Sequence, residues 1–163
     1  MNDDISKQFA RFTRKIEKAL RRDAPRVAGK EAVRLFKQNF MDEGFFGKRW
    51  KEVQRRRVVE MSYRTKKGRR RTKYRTKGKG AYGKRRILTG RTGNLGRSIS
   101  SIPGVGWATV IADAPYSAVH NEGLRAGRGK GFAMPRRPFM GDHRKLQEAL
   151  AKKIESEIIR KLR

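Results

Sequence analysis

The stretch that looks most like a site for chemistry is LTGRTGNLGRSIS at residues 88–100. Glycines at 90, 93 and 96 precede Arg97 and Ser98, which suggests a loop that could hold a phosphate. A Walker-type loop needs four residues between its glycines and then Gly-Lys-Ser/Thr, because its amides wrap the phosphates while the lysine reaches over them. Here five residues separate Gly90 from Gly96, and Arg97 replaces the lysine. We therefore predict no nucleotide site.

A structural role accounts better for the same stretch. Thr92 or Asn94 is expected to cap a short helix. Leu95 and Ile99, four residues apart, would then point together into the core. The glycines would let the backbone turn or lie close to another surface.

Acid–base and metal chemistry have few candidate residues. The chain has two histidines, His120 and His143, with Asp113, Glu122 and Asp142 as the nearby acids. A metal site needs three or four convergent ligands, and the histidines lack the His-x-x-x-His spacing. We predict that His120 is structural and that catalytic residues, metals and cofactors are absent. A nuclease-like site that combines His120 with Glu122 is the alternative.

Positive charge is concentrated in one segment. The 163 residues carry a formal charge of +29. Residues 55–86 hold sixteen Lys and Arg against one acid, Glu60, a local charge of +15, and only Val58 and Val59 there are Leu, Ile, Val or Phe. Such a segment repels itself and attracts polyanions. The cations expected to contact a polyanion are Arg55, Arg56, Arg57, Arg64, Lys66, Lys67, Arg69, Arg70, Arg71, Lys73, Arg75, Lys77, Lys79, Lys84, Arg85 and Arg86.

Nucleic acid or an acidic protein would suit this segment. Tyr63, Tyr74 and Tyr82 lie among the cations and offer faces on which bases can stack. No zinc finger, aromatic RNP signature or convincing helix-turn-helix accompanies them, so contact would be independent of base sequence. The segment is expected to be a mobile loop, or a two-stranded arm once it is neutralised. The plain alternative is a solvated loop that keeps the protein soluble.

Hydrophobic periodicity predicts the elements that position these residues. Apolar residues at steps of three and four indicate two N-terminal helices, one from Asp3 or Asp4 to Leu20 and one from Pro25 to Phe40, packed as a helical hairpin. Residues 40–50 should form a loop that tucks a tryptophan into the body.

Shorter elements should follow the basic segment. We expect a hairpin or strand connection around residues 103–106, an extended piece from Tyr116 to His120 and a glycine-rich loop at 124–132. The prolines of residues 134–139 require an extended segment, and Asp142 should cap a last helix over residues 146–162. This order indicates an α+β fold with a small antiparallel sheet.

Length and composition complete the sequence-based predictions. The chain should form a single domain, residues 1–163, with residues 55–86 as a basic insertion. It has no cysteine, hence no disulfide. No apolar run reaches the roughly 18–20 residues that span a bilayer, so we expect a soluble protein without membrane contact, made and kept on the cytoplasmic side.

Three pieces taken in order carry a family resemblance: ILTGRTGNLGRSI at 87–99, PYSAVHNEG at 115–123 and FAMPRRPFMG at 132–141. Together they resemble the phage virion-morphogenesis and tail-completion proteins, the family of the Mu-like G protein and the P2-like S protein, related in pattern to siphophage tail-to-head joining proteins. Ser117, Arg136 and Met140 depart from the family pattern. The matching residues, called here the family motif residues, are Trp50, Thr92, Gly93, Leu95, Ser98, Ile99, Tyr116, His120, Gly123, Met134, Pro135, Arg137, Pro138 and Phe139.

The resemblance implies a non-enzymatic virion component that completes the tail or joins it to the head. It implies a ring of identical subunits, with six as a candidate number, in the tail or neck of a virion assembled in the host cytoplasm. Its implied partners are the tail tube or terminator and the head-neck proteins, with non-specific DNA contact as a further one. The competing hypothesis is a cytoplasmic protein that binds nucleic acid without sequence preference.

Overall fold

A long N-terminal helix opens the fold. The computed structural model describes residues 2–162, except for the side chains of residues 2, 3 and 82. Helix α1, Asn2–Lys18, runs into a π-helical turn, Ala19–Asp23, and then into α2, Ala24–Asp42. The backbone stays right-handed helical at Lys18, Asp23 and Ala24. The predicted helical hairpin is therefore wrong in this detail, because no reverse turn separates the two helices.

Pro25 explains why the helix widens here without ending. Proline has no N–H, so the carbonyl of Arg21 loses its α-helical donor. The amide of Ala24 donates to the carbonyl of Ala19, five residues back, which is the π-helical pattern. The freed Arg21 carbonyl accepts the N–H of Gly106 at 2.8 Å. The turn is thereby tied to a distant part of the chain.

Small hairpins and short helices form the middle of the chain. The loop predicted at residues 40–50 contains a tight hairpin, β1 Gly44–Phe45 with β2 Lys48–Arg49. After a 3₁₀ turn, Gln54–Arg56, the basic segment forms β3 Val58–Arg64, β4 Arg70–Thr76 and α3 Gly80–Lys84. Strands β3 and β4 pair with each other in a two-stranded antiparallel sheet. We call residues 55–86 the basic arm.

The C-terminal half holds the remaining elements. They are α4 Asn94–Arg97, β5 Ile99–Pro103, β6 Ala108–Ala112, α5 Ser117–Glu122, β7 Arg125–Ala126, β8 Phe132–Ala133 and α6 Arg144–Leu162. The predicted hairpin around residues 103–106 is confirmed as β5–β6, and residues 134–139 have no regular secondary structure. The glycine-rich loop is bounded by the β7–β8 pair.

Three local predictions are wrong. Residues 117–122 are helical rather than extended, and Gly123 ends α5 with φ of 75° and its N–H on the Val119 carbonyl. Gly93, with φ of 67°, precedes α4 without any side-chain cap, so neither predicted residue caps that helix. At the last helix His143, not Asp142, is the cap, because its Nδ1 accepts the Lys145 N–H at 3.1 Å.

The core lies between α2, α6 and the motif pieces. Helix α6 packs along α2 through one apolar face. The buried cluster includes both predicted core residues of the glycine-rich stretch, and the α+β class is confirmed. None of the helices within residues 2–162 is long and apolar enough to cross a bilayer. The buried residues of this cluster are Ala32, Phe36, Phe40, Trp50, Ile87, Leu95, Ile99, Ala114, Phe139 and Leu146.

Candidate functional site

The three motif pieces converge on one pocket of about 640 Å³, called here the motif pocket. One wall comes from the chain around α4, one from the start of α5 and one from the extended segment at 134–139. Residues 53–55 and 87–88, where the basic arm joins the body, also line the pocket. Six family motif residues line this pocket: Thr92, Leu95, Tyr116, His120, Met134 and Arg137.

Arg137 is a buried cation in this pocket. Arg137 is only 6% exposed. The Nε and Nη2 groups both donate to the carbonyl of Lys51, at 3.1 and 3.0 Å. None of the ion pairs among the described residues includes Arg137. Burial, reinforced by the charge of Arg55, lowers the pKa of Arg137. The group still remains charged, because arginine starts from a very high value.

His120 lies beside Arg137 and is half-buried. Its Nδ1 atom is buried and has no hydrogen-bond partner among the described residues. Its ring meets that of Tyr116 edge to face, with centroids 5.9 Å apart. Burial, and secondarily the charge of Arg137, lower the pKa of His120 below its ordinary value. The imidazole is therefore neutral at pH 7.

The residues of the nuclease alternative do not assemble into such a site. Neither Asp nor Glu lines the motif pocket. The carboxylate of Glu122 pairs with Arg136 at 3.6 Å instead. Within the described part of the chain, His, Cys, Asp and Glu side chains form no group of three that could hold a metal ion.

The extended segment behind the pocket is fixed by buried hydrogen bonds. Trp50 is buried as predicted, and its Nε1–H donates to the Pro138 carbonyl at 2.7 Å. The amide of Asn39 donates to the Phe139 carbonyl at 3.1 Å. The side-chain oxygen of Asn121 accepts the N–H groups of Phe139 and the following residue. Sequence reasoning missed both asparagines, although an amide on the apolar face of a helix, as at Asn39, is a usable signal.

The other family motif residues have structural positions. The hydroxyl of Ser98 donates to the Leu95 carbonyl at 2.8 Å. A Cβ atom on Gly123 would lie 2.9 Å from the Cβ of Arg136, so this position requires glycine for space as well as conformation. Pro135 belongs to the extended segment, and its half-buried ring follows the pocket residue Met134.

One carboxylate holds the base of the basic arm. Glu43 accepts a hydrogen bond from Arg56 Nη1 at 2.7 Å and a second one from Nη2. It also accepts the N–H of Ile87 at 2.7 Å. Arg56 lies at the start of the arm and Ile87 just after its end, so both ends meet at one side chain. The bonds from Arg56 lower the pKa of Glu43.

Two of the residues predicted to contact a polyanion also hold the two ends of the basic arm together. The Nη2 of Arg55 donates to the carbonyls of Arg85 and Arg86, at 3.0 and 2.8 Å. Arg56 Nε donates to the same Arg85 carbonyl at 3.1 Å. Both guanidiniums therefore have bonds inside the chain, whereas the cations of β4 are exposed.

One face of the arm carries three cations in a row, whereas the other carries Arg64 opposite Arg70 together with one acid. Arg71, Lys73 and Arg75 lie opposite Tyr63, Met61 and Val59, respectively. Since side chains alternate along a strand, these six residues share one face, called here the cationic face. Tyr74 lies on the other face, opposite Glu60. The side chain of Tyr82 is outside the described set.

Two apolar surfaces have no partner within the described chain. The first is the apolar stripe of α1, where Ile5, Phe9 and Phe12 are 65%, 70% and 49% exposed. Ile16, farther along the same helix, is half-buried. The second is a groove of about 780 Å³ between α2, the β5–β6 hairpin and α6. We call it the α2–α6 groove. Its apolar lining includes Leu20, Ala28, Ala32, Phe36, Trp107, Val110, Leu146, Leu150 and Ile154.

Comparison with known proteins gave two matches. The family model described as the phage virion morphogenesis family matches residues 2–159. The Mu-like prophage FluMu G protein 2 of Haemophilus influenzae is 45% identical over 49 residues, which cover 30% of this chain and 36% of that protein. This match therefore spans about a third of the relative's length. No solved structure matches.

Proposed function

Because the chain belongs to the phage virion morphogenesis family, its role is in virion assembly, and we propose that it is a non-enzymatic structural protein of the tail or neck. In this proposal it completes the tail, or joins tail to head, as a ring of identical subunits. Its neighbours there are the tail tube or terminator and the head-neck proteins. The observation that supports self-assembly is the pair of unpartnered apolar surfaces on one chain.

The apolar stripe cannot cover the groove of its own subunit. Helix α1 is continuous with α2 through the π turn. It contacts α6, but the side chains of Ile5, Phe9 and Phe12 remain exposed. Phe9 lies roughly 16 Å along the helix axis from Leu20, which is at the edge of the groove, at 1.5 Å per residue. A second copy of the chain can bring its α1 into the groove, which is a helix-in-groove contact.

This contact joins two different surfaces of the same protein. One-way contacts of that kind build a ring when the rotation between neighbours closes. Burying the exposed parts of Ile5, Phe9 and Phe12 contributes roughly 1–2 kcal/mol each. The +15 charge of each basic arm opposes closure at low salt, since like charges then repel over longer distances. Salt or a polyanion should therefore promote assembly.

Cysteine cross-linking tests the ring, because the chain has no native cysteine. The double variant Phe9→Cys, Ala28→Cys should give a ladder of covalent oligomers at moderate salt, ending at the ring mass seen by native mass spectrometry. The matched control pairs Phe9→Cys with Lys30→Cys, on an exposed position of α2. Equal yields in both variants, linkage within one chain, or a product that stops at two copies would each contradict the ring.

The basic arm supports a second part of the proposal, contact with DNA. The three cations of the cationic face repeat every second residue of β4, at a spacing of about 7 Å. Tyr63 lies beside them on the same face. This surface can contact phosphates without reading bases. Around a ring axis, the arms would present this charge to DNA that passes through the lumen.

Salt dependence of DNA binding tests the cationic face. Changing Arg71, Lys73 and Arg75 to Gln should reduce the slope of log K against log salt by about 2.7, for three lost phosphate contacts on a short duplex. A control variant with Arg22, Arg26 and Lys30 changed to Gln removes the same charge from exposed helical positions. Equal slopes in the two variants would contradict a specific role for this face. Tight DNA binding by a chain that stays monomeric would favour the nucleic-acid-binding alternative.

A further inference from the structure

We propose that the motif pocket binds a carboxylate carried by a flexible peptide segment of a neighbouring virion protein. The inference rests on the assembly role proposed above and adds the chemical class of the ligand.

Arg137 is the principal group that would bind the carboxylate. A guanidinium has five N–H donors. Two of them bond the Lys51 carbonyl, and the other three have no acceptor among the described residues. A buried cation without a counter-charge is costly, and a carboxylate that accepts two parallel N–H bonds is its best partner. The acid whose charge acts on Arg137 is Glu52, an exposed side chain that lies 3.7 Å from Arg56.

His120 lines the same pocket and would sense an anion bound there. Its buried Nδ1 has no partner among the described residues. The charge of Arg137 acts on this ring, so an anion held by Arg137 would act on it as well. Arg55 and Arg91 also line the pocket, and no acid does. All charged side chains of the lining are therefore cations, which favours an anionic ligand.

The shape and the walls favour a peptide carboxylate over a DNA phosphate. Arg137 is buried, and a duplex is too wide to bring its backbone into a pocket of about 640 Å³. A single extended peptide can enter. Its apolar side chains would contact the Val53, Leu95 and Phe132 parts of the lining. Leu88, also in the wall, has φ of 61°. Such conformations in bulky residues are strained and concentrate at functional sites.

Two small probes that differ only in charge test this inference on the isolated protein. N-acetyl-Leu-Glu-amide should shift the imidazole NMR signals of His120 and raise the pKa of that histidine, because the carboxylate offsets the field of Arg137. N-acetyl-Leu-Gln-amide should bind at least tenfold more weakly. The chain has only two histidines, so His120→Gln assigns the signals, and His143, stacked on Phe46, reports on the fold.

Variants separate the roles of charge and geometry. Arg137→Gln should abolish probe binding, Arg137→Lys should retain a weakened affinity, and Arg128→Gln, an exposed control, should leave it unchanged. Should the Arg137 variants fail to fold, the comparison of Glu and Gln probes on the unaltered chain still decides. Equal binding of both probes, or tighter binding of inorganic phosphate than of the Glu probe, would overturn the inference.

The result also separates this inference from the assembly proposal. A cross-linked ring that forms without any probe binding overturns the pocket and leaves the ring intact. Probe binding by a chain that never forms a ring supports the pocket and contradicts the ring.

Discussion

Replacement of Glu43 by Gln should loosen the base of the basic arm without unfolding the protein. Glu43 accepts two bonds from Arg56 and one from the Ile87 amide, so it joins both ends of the arm. Glutamine retains one oxygen for the amide but points an NH₂ group toward the guanidinium. The variant thus loses the charge-assisted bonds and leaves Arg56 with one fewer counter-charge.

The size of this effect follows from the contacts. Hydrogen bonds to charged groups contribute about 1.5–3 kcal/mol each. The side chains of Arg56 and Glu43 are 21% and 24% exposed, so water replaces part of what is lost. We take about 2 kcal/mol for opening of the base, which corresponds to a roughly 30-fold larger open population.

Hydrogen exchange at the base measures this opening directly. The Ile87 amide, and those of Lys77 and Gly78, which bond the carbonyls of Arg57 and Arg55, should exchange roughly 30-fold faster in Glu43→Gln. Amides of the β5–β6 hairpin should not change.

Glu31→Gln is the matched control for this experiment. It also removes a bidentate partner of an arginine, Arg34, but on the surface of α2 and away from the arm. The side chain of Glu31 is 16% exposed but that of Arg34 is 62% exposed, so we expect a smaller loss than at the arm base. If exchange at Lys77 and Gly78 is the same in both variants, the backbone ladder alone holds the base and our account of Glu43 is wrong.

Three further predictions concern stability and pH. Trp50→Phe should lower the free energy of unfolding in urea by about 1–3 kcal/mol, because the half-buried Pro138 carbonyl loses its donor. Trp107→Phe, at an exposed position, should change it by less than about 0.5 kcal/mol, and equal losses would contradict this. Gly123→Ala should lower the melting temperature more than Gly129→Ala. Both glycines have positive φ, but only at Gly123 would a new Cβ lie 2.9 Å from the Cβ of Arg136. Similar losses in the two variants would show that Arg136 moves aside. The folded pKa of Glu43 lies below its ordinary value of 4.5, so its stabilisation of the arm base is complete above that pH and is lost as pH falls through the lower folded value. Exchange protection of Ile87, corrected for intrinsic rates, should therefore drop in the parent as the pH is lowered below about 4.5, and it should stay flat in Glu43→Gln.

Local patterns predicted much of the fold. The steps of three and four from Ile5 to Leu20 predicted the first helix, and turn residues predicted the β5–β6 hairpin. The continuity of α1 and α2 could not be predicted, because Pro25 fits the start of a new helix as well as the continuation of an old one. The amide that takes up the Arg21 carbonyl belongs to Gly106, far along the chain.

Only part of the site could be predicted from the sequence. Motif resemblance pointed to His120 and Arg137, but their arrangement around one pocket depends on how α5 and the extended segment pack. Asn39, Asn121 and Glu43 escaped notice because polar side chains in helices, or just after them as at Glu43, usually face water. Their partners are backbone groups that approach from distant residues, which no local pattern reveals.

The widened turn at Ala19–Asp23 determines the direction around the helix axis in which the side chains of α1 point. A π turn amounts to one extra residue, and each residue of an α-helix advances the side chains by about 100° around the axis. Deleting one residue there would leave both helices whole but swing Phe9 and Phe12 by roughly a quarter turn. In the proposed ring, this one irregularity of the backbone would therefore determine which side of α1 faces the neighbouring subunit.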